Sequence, residues 1–254
     1  MSKHDRLRAK AREVRLAQER AERRRKRIRI AIGAGSLVIV GLLVAIFAVV
    51  YTSASHDRTT ASGVLVTPAN LAASGAIPVG QTSAPVTVEI YLDYMCPACG
   101  KFEQANATEL DRLLAAGTIK LELHPMNFLD SRSKGTNYST RTANAVATTA
   151  DQAADKVWVL SKALYANQPE EGTSGLTDQQ IADLATTAGV PQATVDAFKN
   201  RTFDTWVTNS NDAAFKAGVQ GTPTIKINGT HFEGDVYNAG PLTQAIEQAA
   251  GGAS

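Results

Sequence analysis

An α/β domain with helices inserted in its middle, behind one N-terminal transmembrane helix, is the architecture this 254-residue sequence predicts. Three observations carry it. Alternating apolar runs near 86–93 and 118–124 flank a helical pattern from about 97 to 115. A long Ala-rich region from about 139 to 217 reads as several helices. A strand, a tight turn, a second strand and a helix from about 241 to 250 then close the chain. The order β-α-β, helical block, β-hairpin, α belongs to the α/β class.

The elements follow in chain order. Residues 1–29 hold 13 of the 26 Lys and Arg against four acids, a net +9, while the rest of the chain is −7. Ile30 to Tyr51 are 22 residues without a charge, enough to cross a hydrocarbon core of ~30 Å at ~1.5 Å per residue. The positive-inside rule then places the tail, ending in Arg23-Arg24-Arg25-Lys26-Arg27, in the cytoplasm and everything after Tyr51 outside. Small residues at Ser53-Ala54-Ser55 offer a cleavage site, but the apolar run exceeds the h-region of roughly 7–15 residues of a signal peptide, which favours an uncleaved anchor. The tail is read as a topology signal, with no nucleic-acid partner and the bilayer as its neighbour. Residues 52–80, rich in Ser, Ala, Thr and Gly, read as a tether, and 81–251 as one compact domain. Within the helical block, breaks fall at Asn167-Gln168-Pro169 and Gly189-Val190-Pro191, and Thr177-Asp178-Gln179-Gln180 has the form of a capping box. Asn228-Gly229, between Thr224-Ile225-Lys226-Ile227 and Thr230-His231-Phe232, is a strong hairpin signal.

The only cysteines are Cys96 and Cys99, in Cys96-Pro97-Ala98-Cys99 at the predicted strand-to-helix corner. A disulfide between them closes almost no loop, so it stabilises little, and the spacing argues for redox chemistry. Backbone N–H groups and the dipole at a helix start favour a thiolate, so Cys96 is expected to be the exposed, acidic nucleophile. Pro97 suits the first helical position, and Cys99, a turn further in, is the resolving thiol. A zinc site normally wants four N or S ligands, and one Cys pair with His4, His56, His124 and His231 does not supply a convincing set. Outside the membrane the pair sits where disulfide chemistry belongs.

The CPxC corner, the helical block and Gly221-Thr222-Pro223-Thr224 before the Asn228-Gly229 hairpin resemble the DsbA-like thiol-disulfide oxidoreductases, most of all the membrane-anchored Gram-positive and actinobacterial branch. His124-Pro125-Met126-Asn127-Phe128-Leu129-Asp130, Tyr138-Ser139 and Arg141-Thr142-Ala143-Asn144-Ala145 add to the likeness, which covers roughly residues 82–250. The resemblance implies a thioredoxin fold with an inserted helical block, about 139–217. It implies a cis Pro223 beside the redox pair, with Thr222 offering backbone hydrogen bonds to substrate. No cofactor is expected beyond the Cys96–Cys99 disulfide. The implied partners are unfolded exported proteins with thiols and a quinone-linked membrane oxidase of DsbB or VKOR type.

Two departures stand out. The dipeptide Pro97-Ala98 lacks the histidine of the family's strong oxidant, and Ile90 stands where relatives often bury an acid, six positions before the first cysteine. Glu89, one residue back, is a candidate proton relay or a plain solvent-facing residue, since a one-residue shift on a strand changes faces. Asp93 is expected to raise the Cys96 pKa by like-charge repulsion, and His124 reads as structural. A disulfide reductase of the same fold, a non-catalytic peptide-binding module and an isomerase remain as rivals to the oxidase.

Overall fold

The computed structural model describes residues 65–252. The basic tail, the 30–51 span and residues 52–64 of the tether lie outside the described residues. Among the described residues no helix is long and apolar enough to cross a membrane.

The strands are β1 (Ile77–Gly80), β2 (Val86–Leu92), β3 (Ile119–Pro125), β4 (Thr224–Ile227) and β5 (Thr230–His231). The helices are α1 (Pro97–Ala115), α2 (Tyr138–Gln152), α3 (Val157–Ala166), α4 (Asp178–Thr187), α5 (Gln192–Ala197), α6 (Asp204–Lys216) and α7 (Pro241–Gly251). One mixed sheet runs in the order β1-β3-β2-β4-β5. The β2–β3 pair is parallel, with Val88 opposite Leu121 and Tyr91 opposite His124. The β2–β4 pair is antiparallel, with Tyr91 opposite Thr224. This last pairing brings the start of β4 to the same end of the sheet as the β2–α1 corner.

β1 corrects the expected tether. Ala76 and Ile77 are buried, and β1 pairs with β3 at the sheet edge. The run is four residues long, and Pro78, tolerated on an edge strand, hides it among small residues.

The two faces of β2 part company as the pleat requires. Val86, Val88, Ile90 and Leu92 join the main core, which also takes in both cysteines, Phe102, Leu110 and Leu113 from α1, and Leu242 and Ile246 from α7. Tyr91 turns the other way and packs with Met126, Ala214 and Val219. Each fully buried Leu or Ile contributes about 1.5–3 kcal/mol relative to exposure.

α1 starts at Pro97, whose missing N–H is not needed there. It ends in a Schellman motif: Gly117, at φ +68°, donates to the Leu114 carbonyl and Thr118 to the Leu113 carbonyl, both at 3.0 Å. α6 ends the same way, with Gly218 bonded to Leu114's counterpart Phe215 and Val219 to Ala214. That turn sends the chain back into Gly221-Thr222-Pro223. The Thr177/Gln180 capping box is formed in full, and the helical block breaks at 167–169 and 189–191. At the hairpin, Asn228 and Gly229 both have positive φ, and the Asn228 Oδ1 accepts from the Thr87 backbone at 2.8 Å, fastening the turn to β2.

α2 is buried almost all round although it is rich in Thr, Ser and Asn. Those groups are satisfied locally, as buried polar atoms must be. Thr142, Thr148 and Thr149 donate to carbonyls one turn back, and Asn144 bridges the Phe198 carbonyl and the Phe203 N–H.

Candidate active site

β2 delivers the chain to Asp93-Tyr94-Met95, and Cys96 caps α1 from an extended conformation, φ −73° and ψ 115°. Both cysteines are free thiols. Cys96 is 7 % exposed and Cys99 is fully buried, so the expected exposed nucleophile is in fact nearly enclosed, with only Cys96 reaching the surface. The Thr222–Pro223 peptide is cis, and the Cys96 thiol donates to the Thr222 carbonyl at 3.3 Å. Pro97 is exposed and Ala98 half-buried beside them. Cys96, Pro97, Ala98, Cys99, Thr222 and Pro223 therefore form one site although 126 positions separate Cys96 from Thr222.

The two thiols are driven apart in acidity. Cys96 is lowered to about 6, first by the hydrogen bond from Cys99 and then by the backbone N–H groups of Cys99 and Ala98, against the cost of burial; the Thr222 hydroxyl, close by, has no hydrogen-bond partner among the described residues. Cys99 is raised well above the ordinary thiol range, chiefly by burial and then by the neighbouring Cys96. The helix N-terminus acts in the expected direction, but the partner thiol is the larger cause.

The two acids named from the sequence do other things. Asp93 is buried, and its carboxylate accepts from Met95 N–H (2.8 Å), Leu129 N–H (2.8 Å) and the Ser139 hydroxyl (2.7 Å). It thus ties the corner to the β3–α2 loop and to α2. Burial raises it to about 6, and it does not figure among the causes of the Cys96 shift. Its expected like-charge effect on Cys96 is corrected accordingly: the carboxylate is turned into its donors. Glu89 lies on the Tyr91 face of β2, away from the core face that carries the cysteines, with its Oε2 3.7 Å from His124 Nε2. It is no relay for the pair, for the register reason that made it doubtful. His124 stacks on Tyr91 with centroids 4.1 Å apart. Burial first, then Lys226, lowers it to about 4, so the Glu89–His124 contact is not an ion pair at neutral pH.

Three residues that sequence reasoning missed surround the thiols. Glu103 follows Cys99 by four on α1, is buried, and is raised to about 7 by burial; its Oε1 has no hydrogen-bond partner among the described residues. The four-residue spacing on a helix face was the available signal. Tyr237, 49 % exposed, sits on the loop before α7 within electrostatic reach of both thiols, a loop held by Asn106 Nδ2 on the Val236 carbonyl at 2.8 Å. Gln168 reaches the corner from the end of α3. Nothing local in the sequence marks the last two.

Two hollows flank the pair. One of about 510 Å³ lies along Gly218, Val219, Thr222, Pro223 and Lys226. The other, of about 620 Å³, is lined by Pro97, Gly100, Glu103, Lys162, Tyr165 and Gln168. An acidic thiol beside a buried one, opening onto a cis-proline edge, is arranged for thiol-disulfide exchange.

Fold and site together define a thioredoxin-like domain with a helical insertion and a CPxC redox pair. The chain belongs to the thioredoxin family described by the Thioredoxin_4 model, which matches residues 73–247. A serine/threonine-protein kinase, PknE of Mycobacterium tuberculosis, is 32 % identical over 155 residues, 58 % of this chain and 27 % of that protein. The chain thus spans about a quarter of the length of that relative. Disulfide bond formation protein D of Bacillus subtilis is 27 % identical over 153 residues, 59 % of this chain and 66 % of that protein. The crystal structure of oxidised Mycobacterium tuberculosis DsbA superimposes with a TM-score of 0.57 at 25 % identity, covering 70 % of this chain and all of that one.

Proposed function

We propose that this protein is an extracytoplasmic thiol-disulfide oxidoreductase that donates its Cys96–Cys99 disulfide to exported proteins, held at the membrane by residues 30–51. The observation that carries the reading is the Cys96 thiol, lowered to about 6 beside the Thr222–Pro223 edge. Stabilising the thiolate stabilises the reduced enzyme, and a disulfide whose reduced form is stabilised is a strong donor. The likeness to disulfide bond formation protein D supports the same direction.

The cycle begins from the disulfide. A substrate thiolate attacks Cys96 Sγ, the Cys96–Cys99 bond breaks, and Cys99 leaves as the thiolate. The substrate lies extended along Thr222–Pro223. Its second thiolate attacks the sulfur of its own half of the mixed disulfide, and Cys96 departs with the electron pair. The substrate dithiol has lost two electrons and two protons; the enzyme has gained the two electrons and one of the protons, and the other has gone to solvent. Cys99, whose thiolate is strongly disfavoured in its buried setting, takes up one proton, and Cys96 remains ionised above about pH 6. Glu103, one turn below Cys99 and raised to about 7, is placed to supply that proton. Reoxidation falls to a quinone-linked membrane partner of DsbB or VKOR type, with anchoring raising their effective concentration. No cofactor beyond the disulfide takes part.

Equilibration of the protein in glutathione buffers tests the direction of transfer. A potential near about −120 to −200 mV places it with oxidants, whereas one near about −270 mV overturns the oxidase reading in favour of a reductase. In cells, Cys99→Ser is expected to accumulate mixed disulfides with exported proteins and Cys96→Ser to form none.

A further inference from the structure

Gln168 belongs to the helical block, two positions beyond the end of α3, yet its side chain works at the redox corner. Its Nε2 donates to the Tyr94 carbonyl at 3.1 Å and to the Cys96 carbonyl at 2.9 Å. A side-chain amide has two N–H protons, and these two carbonyls take both. The Cys96 carbonyl also receives the Gly100 N–H, at 3.2 Å, which opens α1. Cys96 has no capping side chain of its own, so the donor that braces this helix start from outside the corner comes from a distant element.

The other end of the same amide explains a second residue. A Cβ on Gly100 would stand 2.2 Å from Gln168 Oε1 and 3.1 Å from its carboxamide carbon. Gly100 sits in the first turns of α1, where glycine is a poor helix former. Its φ is not in the left-handed region, so no backbone conformation demands glycine there. Space for the Gln168 amide does.

We propose that Gln168 is a positioning residue for the redox pair: by holding the Tyr94 and Cys96 carbonyls it keeps the Cys96 sulfur in front of the Ala98 and Cys99 N–H groups, and Gly100 keeps the room the amide needs. The inference rests on the reading of Cys96 as the sulfur that exchanges with substrate. Without the amide the 94–97 backbone is free to rotate, the sulfur leaves the helix N–H groups, and the thiolate loses part of its stabilisation. The reduced enzyme is then less favoured and the disulfide becomes a weaker oxidant. The helical block thereby sets the acidity of a cysteine it does not contain.

The test uses the full chain as wild type, Gln168→Ala, Gly100→Ala and the double variant. Thiolate absorbance at 240 nm against pH gives the acidity of Cys96, and glutathione equilibration gives the redox constant. Each single variant is expected to weaken the Cys96 acid about tenfold, changing the redox constant about fivefold at pH 7 toward a weaker oxidant. The double variant is expected to be no worse than Gln168→Ala, because the added methyl meets nothing once the amide is gone; such non-additivity marks a direct contact. Gln168→Met, similar in length but without donors, should give the Gln168→Ala result if the alanine variant fails to fold. Acidity and redox constant within about twofold of wild type in the Gln168 variants, whatever happens to their melting temperature, would overturn the proposal, as would simple addition in the double variant. A wild-type Cys96 of ordinary acidity overturns the reading of Cys96 as the substrate-exchanging sulfur and the inference with it.

Discussion

Replacing Cys99 by alanine isolates the largest cause of Cys96 acidity. In the structure the Cys99 thiol stands first among the groups that lower Cys96 to about 6, ahead of the N–H groups of residues 98 and 99. At pH 7 a thiol of that acidity is about nine-tenths ionised, against about 3 % for an ordinary cysteine of pKa ~8.5. The substitution removes the side-chain donor and leaves the backbone N–H groups in place, so the Cys96 pKa should rise by about one unit or more without returning to ~8.5. The thiolate fraction at pH 7 then falls to about half or less, and the midpoint of the pH dependence of alkylation moves up with the pKa. Absorbance at 240 nm between pH 3 and 10, with iodoacetamide rates over the same range, measures both. A pKa within a few tenths of wild type would refute the reasoning and assign the whole effect to the helix N-terminus. A return to ~8.5 would refute it from the other side, leaving the backbone groups no role.

The difference in stability between reduced and oxidised protein should depend on pH. Cys96 is depressed relative to the unfolded chain, so its ionisation favours the folded reduced state above the unfolded pKa of ~8.5 and that contribution is lost as pH falls through about 6. At pH 7 it amounts to about 1.4 kcal/mol, and below pH 5 to nothing. Paired urea melts of the two redox forms from about pH 5 to 7.5 read it, since Asp93, Glu103 and His124 are common to both and the raised Cys99 does not yet ionise in the unfolded chain; a pH-independent difference would contradict the shift. Glu103→Gln should stabilise the protein at pH 8, by about 3 kcal/mol, and leave it nearly unchanged at pH 4. The sign follows because burial raises this acid to about 7: as pH rises from the ordinary carboxylate range to that value the unfolded chain ionises while the folded carboxyl stays neutral, and the cost to the folded state is complete above about pH 7. Thermal melts at the two pH values decide, and equal effects at both would mean that the carboxyl is not held neutral. The same variant should slow protonation of the departing Cys99 in single-turnover oxidation, with little effect on the first attack.

The redox corner was legible because its physics is local. Two cysteines three apart, a proline at the first helical position and the end of an alternating strand are adjacent in the chain, and a helix start stabilises a thiolate wherever it occurs. The hairpin at Asn228-Gly229, the Thr177 capping box and the breaks at the two Pro-containing stretches were readable for the same reason, each being decided within a few residues. The short edge strand Ile77–Gly80 was not, since four residues with a proline show no periodicity and only pairing with β3 makes them a strand.

Side-chain direction and burial required the tertiary structure. Glu89 and Asp93 are the acids that precede the cysteines on the incoming strand and corner, yet the pleat sends one to the far face of the sheet, and three donors from three segments claim the other. Glu103 and Gln168, 4 and 69 positions beyond Cys99, lie nearby instead: one helix turn separates the first from Cys99, and the chain beyond α3 brings the second to the Tyr94 and Cys96 carbonyls. The sequence alone determined that a dithiol sits at a helix N-terminus, and the Thr-Pro edge beside it was implied only by the resemblance to the DsbA-like family. That Cys96 is the acidic thiol followed from its place at the helix start; only the packed structure decided how far and by what it is lowered, because desolvation and hydrogen-bond geometry depend on neighbours that arrive from elsewhere in the chain.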